Sequence, residues 1–431
     1  MTSGKYFWVV ALLCAACGGT ENSGAGGDGG SGGGGGTGGA AGAGGSLPLT
    51  CDLAPDVAPL CTGATCPFSS HLRVSCETEV MPRASLTISD ATKQPLVAIQ
   101  NQDGAYPLYS LDDQALKLVA EPKSPVAPTH DAAGALHGFD ANGLEISHHT
   151  YPGGTTPLGK VDGEFLSSRL AVARGAGLAG LFTASTGWRL VVRDSAGAFA
   201  IENVGLLENP SLGMSDDGQP LLGFFEAQGG WKAKIRVAGK VDALPFQIGG
   251  LLMTTLGVVP GPDSWAAALI SLDDGVHVAL PSGSSYLVPD SKAFVDTSTC
   301  SQFNFTCPVS CDDSGQGDFA ATGISLGAEL LIVRITTVIK RSYTLESKNC
   351  FEHGCTCEKT LTDDSSKSEL VLTRLDPTTG SFTELGRYPT TAVTHATLFA
   401  ANDGDSAALM WTSSAGVEAA ALSLATVANL P

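Results

Sequence analysis

The sequence is poor in positive charge and has no long segment with a helical apolar pattern. Its 431 residues include 24 Lys and Arg against 43 Asp and Glu, which gives a formal net charge of -19. Because a nucleic-acid binder needs a basic face, this balance argues against a nucleic-acid partner. No long stretch repeats its apolar residues with the 3.6-residue period of a helix, so a helical bundle is disfavoured as well. Apolar residues still make up 43% of the chain, and the chain as a whole is therefore not disordered.

Residues 1–17 are typical of a secretory signal. Lys5 supplies the positive charge, and Tyr6 to Leu13 is an apolar stretch too short to span a bilayer as a mature helix. The sequence LCAAC at 13–17 resembles the lipobox of bacterial lipoproteins, with a cysteine where leucine is usual at its second position. The resemblance implies that Cys17 is acylated and becomes the new N-terminus. Plain secretory cleavage is the alternative.

Residues 18–47 form a Gly/Ser-rich linker with almost no side chains that could be buried, so we expect a flexible tether. Gly18 follows the modified cysteine, in place of the Asp that marks inner-membrane retention in enteric lipoproteins. The resemblance therefore implies a cell-envelope location at the outer membrane, on either its periplasmic or its surface side.

Cysteine usage predicts disulfides in an oxidising compartment. Removal of the signal and acylation of Cys17 leave ten cysteines, an even number that suits complete pairing. They lie in a Cys-rich segment at 48–80 and in two polar insertions near 296–318 and 346–368. The disulfide candidates are Cys51, Cys61, Cys66, Cys76, Cys300, Cys307, Cys311, Cys350, Cys355 and Cys357. A structural zinc site is the alternative, most plainly at Cys350, His353, Cys355 and Cys357.

The region 81–431 repeats short strand candidates separated by Gly, Asn and Asp turns. The clearest unit runs from Pro210 to Lys240, where Asp216-Asp217-Gly218 and Gln228-Gly229-Gly230 separate three strands. About seven units of this kind follow each other, each about 40 to 60 residues long, which is the range of propeller blades. The sequence thus predicts an all-β fold, a β-propeller of about six to eight four-stranded blades, with two packed sandwiches as the alternative. The whole chain then resembles bacterial surface lipoproteins with a Gly-rich tether and a propeller-like body, although no WD, kelch or NHL signature is present.

Several short motifs match known sites without their structural context. Residues 175–180 match G-x-G-x-x-G, and 323–327 match G-x-S-x-G, but each is followed by a strand pattern and not by the helix that those sites need. Asp312, Asp313 and Asp318 have oxygen-rich spacing that could hold calcium, with a polar turn as the alternative. Otherwise we expect no cofactor. His148 and His149 are adjacent on a strand, so their side chains point to opposite faces.

The sequence does not specify the ligand. Loops carry function more often than blades do, so the second Cys-rich insertion is the predicted surface for an unknown protein or glycan ligand. We expect non-catalytic binding or scaffolding. The alternative is a sialidase-type carbohydrate hydrolase, which needs a cluster of arginines beside a tyrosine. The arginine candidates are Arg169, Arg189, Arg193, Arg236, Arg334 and Arg374.

Overall fold

The computed structural model describes most of the chain from residue 57 onward. The described ranges are 57–76, 84–89, 92–99, 107–112, 115–121, 129–130, 135–142, 144–151, 153–162, 165–174, 177–194, 196–215, 217–226, 232–246, 256–261, 268–272, 274–299, 303–304, 308–351 and 354–431. The predicted signal, the lipidation site Cys17 and the tether lie outside these residues.

The body is a β-propeller, as the sequence predicts. The first strand is β1 (Phe68–Ser75), and the next twenty strands form five four-stranded antiparallel sheets in chain order. These five blades consist of β2 (Ala84–Ile88), β3 (Pro95–Ile99), β4 (Leu108–Asp112) and β5 (Ala115–Ala120); β6 (Thr129–His130), β7 (Leu136–Asn142), β8 (Glu145–Tyr151) and β9 (Thr155–Lys160); β10 (Phe165–Arg174), β11 (Gly177–Ala184), β12 (Gly187–Arg193) and β13 (Phe199–Gly205); β14 (Glu208–Met214), β15 (Pro220–Glu226), β16 (Lys232–Val237) and β17 (Lys240–Ala243); and β18 (Leu256–Val258), β19 (Ala268–Leu272), β20 (Gly275–Ala279) and β21 (Ser285–Leu287).

The sixth blade is a larger, seven-stranded sheet, and the seventh has four strands. The sixth contains β22 (Val295–Asp296), β23 (Phe303–Asn304), β24 (Ser310–Leu326), β25 (Glu329–Phe351), β26 (Gly354–Asp364), β27 (Lys367–Asp376) and β28 (Ser381–Thr390). The seventh contains β29 (Val393–Asn402), β30 (Ser406–Ser413) and β31 (Gly416–Ser423) together with β1. The helix α1 (Leu424–Ala428) follows β31. Among the described residues, no helix is long and apolar enough to cross a membrane.

The N-terminal strand completes the seventh blade. β1 pairs antiparallel with β31, from Phe68 opposite Leu422 to Ser75 opposite Val417. The fourth strand of the last blade therefore comes from the Cys-rich segment, which the repeat pattern does not show. This pairing joins the first and last strands of the propeller, so the ring cannot open without breaking a strand ladder.

Seven apolar clusters between neighbouring blades close the ring. One cluster joins Leu72 and Val74 of β1 to Val97 and Leu111 of the first blade. The other six join the first and second blades, and so on around the ring to the sixth and seventh. Because each blade buries both of its faces against its neighbours, the core is distributed over the blade junctions.

Glycine allows close approach between the fourth and fifth blades. A Cβ at Gly223 of β15 would lie 2.6 Å from the side chain of Val258 on β18. The absence of a side chain therefore lets the two blades meet at van der Waals distance. The predicted turn after Met214 has Gly218 at a φ of 78°, the left-handed region that a tight hairpin requires.

The sixth blade extends into a β-ribbon. β25 pairs with β27 up to Val338 and then continues with β26 from Arg341 to Phe351. We call residues 308–317, 339–351 and 354–364 the arm. The two polar insertions that the sequence suggests thus lie largely in strands that prolong the blade.

Candidate functional site

A cleft of about 630 Å³ lies where the sixth and seventh blades meet. It is lined by Asp364, residues 366–369, residues 389–392 and Ser414. These residues end β26, begin β27, end β28, precede β29 and follow β30, so the cleft sits at one end of both blades. Five of its ten lining residues are Ser or Thr, which gives it a hydroxyl-rich surface.

Both carboxylates of the cleft lie close to arginine side chains. Arg341 donates to Asp364 over 3.0 Å, and Arg387 lies 3.9 Å from Glu369. Partial burial alone would raise the pKa of Asp364, but hydrogen bonds from Ser366 and Arg341 outweigh it and leave the pKa below its usual value. Lys367 forms no ion pair within the described residues and is exposed to solvent. The cleft therefore offers one cation and many hydroxyl groups to a ligand.

The floor of the cleft is held by buried hydrogen bonds. The Ser368 hydroxyl is 2% exposed, accepts from the Val393 N–H over 2.8 Å and lies 2.9 Å from the Thr337 hydroxyl. Thr390 donates to the carboxylate of Glu418 over 3.3 Å. These contacts fix the starts of two strands, so the cleft is preformed.

Glu418 on β31 is a fully buried carboxylate that links the cleft to the ring closure. His71 of β1 contacts it through Nε2 over 2.8 Å, and Ser413 donates to its other oxygen. Burial alone would raise the pKa of Glu418, but the hydrogen bonds from His71 and Ser413 keep it below its usual value. The second His71 nitrogen faces the carbonyl of Ala58 at 2.8 Å, so both ring nitrogens contact acceptor groups.

A second buried ion pair stabilises the sixth blade. Arg334 of β25 donates to Asp318 of β24 over 2.7 Å, and both side chains are 1% exposed. Thr336 donates to the same carboxylate oxygen, and the other oxygen accepts from the Lys292 N–H over 2.7 Å. Among the described residues the Nε and Nη2 donors of Arg334 have no hydrogen-bond partner, so the Asp318 carboxylate is the main group that balances the buried charge.

Two histidines of the second blade form a buried pair. His137 Nδ1 and His148 Nε2 are 2.9 Å apart, with the rings stacked at a centroid distance of 5.0 Å. Burial, followed by His137, Arg193 and His149, lowers the pKa of His148 to about 4. His149 instead contacts Thr155 over 2.9 Å, so the adjacent histidines make separate contacts.

This lowered pKa predicts an acid-sensitive blade. Between pH 6.5 and 4 the unfolded chain binds a proton at His148 more readily than the folded chain does. The contribution of neutral His148 to the free energy of unfolding is therefore complete above pH 6.5 and is lost as the pH falls towards 4. After a discount for solvent screening, we expect a loss of about 1–2 kcal/mol. Urea unfolding of the wild type and of His148→Phe across this window measures it. The variant should lose less stability on acidification, whereas His277→Gln, a control near the surface, should follow the wild type; equal losses in all three would contradict the assignment.

The predicted disulfide cysteines are described in part. Cys61 and Cys66 form a disulfide with Cα atoms 5.5 Å apart, and the loop packs on the cluster between the sixth and seventh blades. Cys76 and Cys311 are also disulfide-bonded. The side chains of the remaining candidates lie outside the described set: Cys51, Cys300, Cys307, Cys350, Cys355 and Cys357.

The three calcium candidates have different partners. Asp318 is paired with Arg334, whereas Asp312 accepts from Ser342 over 2.8 Å. Asp313 lies next to Asp312 on β24, on the other face of the strand. In the part of the chain that the structure describes, no three His, Cys, Asp or Glu side chains come together as a metal ion requires.

The arginines of the sialidase hypothesis are dispersed. Arg236 pairs with Glu202, Arg334 with Asp318 and Arg374 with Glu329. Arg189 is buried and donates to the Asp162 carbonyl over 3.1 Å and to Thr186 over 2.6 Å. Each of these four guanidinium groups has its own partner, so among the described side chains they do not form the joint carboxylate site that the hypothesis needs. The side chain of Arg169 lies outside the described set.

Sequence reasoning missed the cleft and its buried supports. Glu418 stands in the apolar strand GVEAAALS, and Arg334 stands in ELLIVRITTVIK. A single charge within an apolar strand run is the signal that could have found both, because a buried charge needs a partner. Their partners, His71 and Asp318, come from other strands and carry no such signal.

Comparisons with known proteins give the fold alone. No protein-family model matches the chain, and no curated protein matches it. Among solved structures, virginiamycin B lyase from Staphylococcus aureus aligns with a TM-score of 0.42 and 11% identity over 82% of this chain and 98% of that one. A streptogramin B lyase aligns with a TM-score of 0.41 and 13% identity, over 82% of this chain and 98% of that one. An oligogalacturonate lyase in complex with manganese aligns with a TM-score of 0.40 and 12% identity, over 83% of this chain and 94% of that one. At these scores the similarities carry no argument about activity.

Proposed function

We propose that this chain is a cell-envelope lipoprotein that binds a ligand, without catalysis, in the cleft between its sixth and seventh blades. The signal at 1–17 and the lipobox-like sequence at 13–17 support acylation of Cys17 and an outer-membrane anchor. The tether would let the propeller reach a ligand away from the membrane surface. The ligand is a protein or a glycan, and binding needs no cofactor; calcium at Asp312, Asp313 and Asp318 is the alternative that a chelator would test.

One observation favours binding over hydrolysis as the function of the cleft. The two carboxylates of the cleft, Asp364 and Glu369, both lie beside arginines. A glycosidase needs one carboxyl group with a raised pKa as the acid, and the pKa of Asp364 is shifted the other way. The rest of the lining is hydroxyl groups, Lys367 and two apolar residues, a set suited to holding a polar ligand.

Filling the cleft should abolish binding. Ser414→Trp places a large ring at the rim of the cleft, and Ser282→Trp is the matched control in an exposed turn of the fifth blade. The full-length chain in detergent micelles would be screened on a glycan array and against a displayed peptide library. We expect Ser414→Trp to weaken retained ligands by about tenfold or more and Ser282→Trp to have little effect.

Two results would contradict the proposal. Equal binding by both tryptophan variants would place the ligand elsewhere, and a change in the mass of a bound glycan would show catalysis. Labelling with radioactive palmitate tests the anchor separately, because Cys17→Ala should abolish incorporation. Retained label in that variant would contradict acylation at Cys17.

A further inference from the structure

The strand that closes the ring has an irregular ladder. β1 is an edge strand of the seventh blade, and among the described strands it pairs with β31 alone. The ladder has register shifts at both ends of β1, between Phe68 and Ser70 and between Arg73 and Ser75. A short edge strand of this kind is an element that opens by local unfolding before the rest of a domain does.

A segment that precedes β1 fixes this strand to the blade. We call residues 57–67 the clasp. The Ala58 carbonyl contacts Nδ1 of His71 on β1 over 2.8 Å. Leu60 is 6% exposed and packs in the apolar cluster between the sixth and seventh blades, which also contains Phe68 of β1. The clasp therefore holds β1 through contacts that lie outside the strand ladder.

The Cys61–Cys66 disulfide keeps the clasp beside β1. Leu60 and Phe68 are eight positions apart along the chain, but the bond joins the neighbour of Leu60 directly to Cys66, two residues before β1 begins. Without the bond, the residues on its N-terminal side would gain more conformational freedom when they leave their places. The disulfide thus stabilises the contacts of Ala58 and Leu60 with the closing strand.

The bond is open to a reductant from the solvent side. It encloses residues 62–65, which are all exposed, and Gly63 forms the turn with a φ of 99°. Cys61 and Cys66 are partly buried, and they pack against the apolar cluster. Exposed disulfides are the ones that exchange readily with thiols. Reduction can therefore reach this bond while the propeller is folded.

We infer that the Cys61–Cys66 disulfide makes the clasp redox-sensitive, and that its reduction by a dithiol releases β1 from β31. A thiolate of the dithiol attacks one of the two sulfurs and forms a mixed disulfide, and the other cysteine leaves as a thiolate. The second thiol of the dithiol then displaces the first cysteine. The reductant ends as a disulfide and the two cysteines end as thiols, so two electrons and two protons pass to the protein.

The change is local to the closing strand. Leu72 and Val74 of β1 leave the cluster shared with the first blade when β1 detaches, and the ring opens at this edge. No cysteine lies between Cys76 and Cys300 in the sequence, so the first five blades contain no bond on which a reductant could act. These blades stay folded while β1 is released.

Hydrogen exchange of the full-length chain in detergent micelles, with and without dithiothreitol, tests the inference. The amides of β1 should exchange about tenfold or more faster in the reduced wild type, and those of β15 in the fourth blade should not change. The double variant Cys61→Ala with Cys66→Ala should show the fast exchange of β1 without reductant. The matched control, Thr62→Ala with Thr65→Ala, alters the same exposed turn but keeps the disulfide, and β1 should exchange within about twofold of the wild type.

The double variant also separates this bond from the others. Cys76 and Cys311 are disulfide-bonded as well, so the reductant acts on more than one bond. If dithiothreitol still accelerates the exchange of β1 about tenfold in the double variant, another bond is responsible and the inference is overturned.

Three further results would overturn it. Alkylation and mass spectrometry would show whether Cys61 and Cys66 become thiols in the folded chain, and a bond that resists reduction there is not a redox-sensitive site. β1 amides that stay protected in the reduced wild type would show that the disulfide does not hold the strand. Loss of protection in β15 together with β1 would show that the propeller unfolds as a unit, without a local release.

Discussion

Replacing Asp318 by alanine is expected to lower the free energy of unfolding by about 3–5 kcal/mol, because the buried guanidinium of Arg334 would lose its charge partner. Arg334 is 1% exposed, and two of its nitrogen donors have no acceptor in the part of the chain that the structure describes. Water cannot easily replace the carboxylate at such a depth. Asp318 also anchors the Lys292 main chain, so the entry to the sixth blade would loosen with it. Denaturant unfolding monitored by circular dichroism measures the loss.

The control for this prediction is a salt bridge at the surface. Asp364→Ala removes the partner of Arg341 at a more exposed position, and we expect a loss of about 1 kcal/mol or less. The double variant Asp318→Leu with Arg334→Met removes the charge together with its partner and should recover much of the stability. A loss in Asp318→Ala no greater than in Asp364→Ala would contradict the assignment of Asp318 and Arg334 as a buried pair.

Substituting valine for Gly416 is expected to detach β1 and to destabilise the ring by about 3 kcal/mol or more, since backbone strain and a steric clash act together. Gly416 begins β31 at a φ of 123°, where a residue with a side chain is strained. A Cβ at this position would collide with the Ser75 carbonyl and would lie 3.1 Å from Cys76 Cα. The substitution therefore acts on the pair of β1 and β31, the first and last strands of the propeller. The unfolding midpoint and the calorimetric transition measure the effect.

A variant at Gly404 measures the effect of backbone strain without the steric clash that is expected at Gly416. It has a φ of 98° in the turn between β29 and β30, but a Cβ there would meet no atom within 4 Å. Gly404→Val should thus show the strain alone, about 1–2 kcal/mol. If Gly416→Val is no more destabilising than Gly404→Val, the contact between β1 and β31 is not what closes the ring.

The regular blades could be predicted from local sequence. In the first blade, short apolar runs between Asn, Asp and Gly turns predict four strands, at 84–89, 94–100, 106–110 and 115–120, and the structure has them within two residues at each end. Turn chemistry and strand length are local properties, so one sequence suffices to find them. The fourth blade was similarly predicted from the turns that separate its strands.

The closing strand and the cleft depend on contacts that sequence does not reveal. β1 has the alternating pattern of a half-buried strand, but its partner lies almost 350 residues away, as the separation of His71 and Glu418 shows. The cleft is lined by residues from three separate stretches, 364–369, 389–392 and Ser414, which only the packing of the sixth blade against the seventh brings together. The polar composition of the arm predicts insertions outside the blade, yet these residues form strands that hydrogen-bond to each other. Pairing within a long hairpin overrides their composition.

Hydrogen exchange of the main chain tests the closed ring most directly. The account predicts that the amides of β1 exchange as slowly as those of β31 and become labile together with them as denaturant is added, because the two strands share one ladder. Exchange of β1 within seconds, while β31 stays protected, would contradict a ring closed by the N-terminal strand.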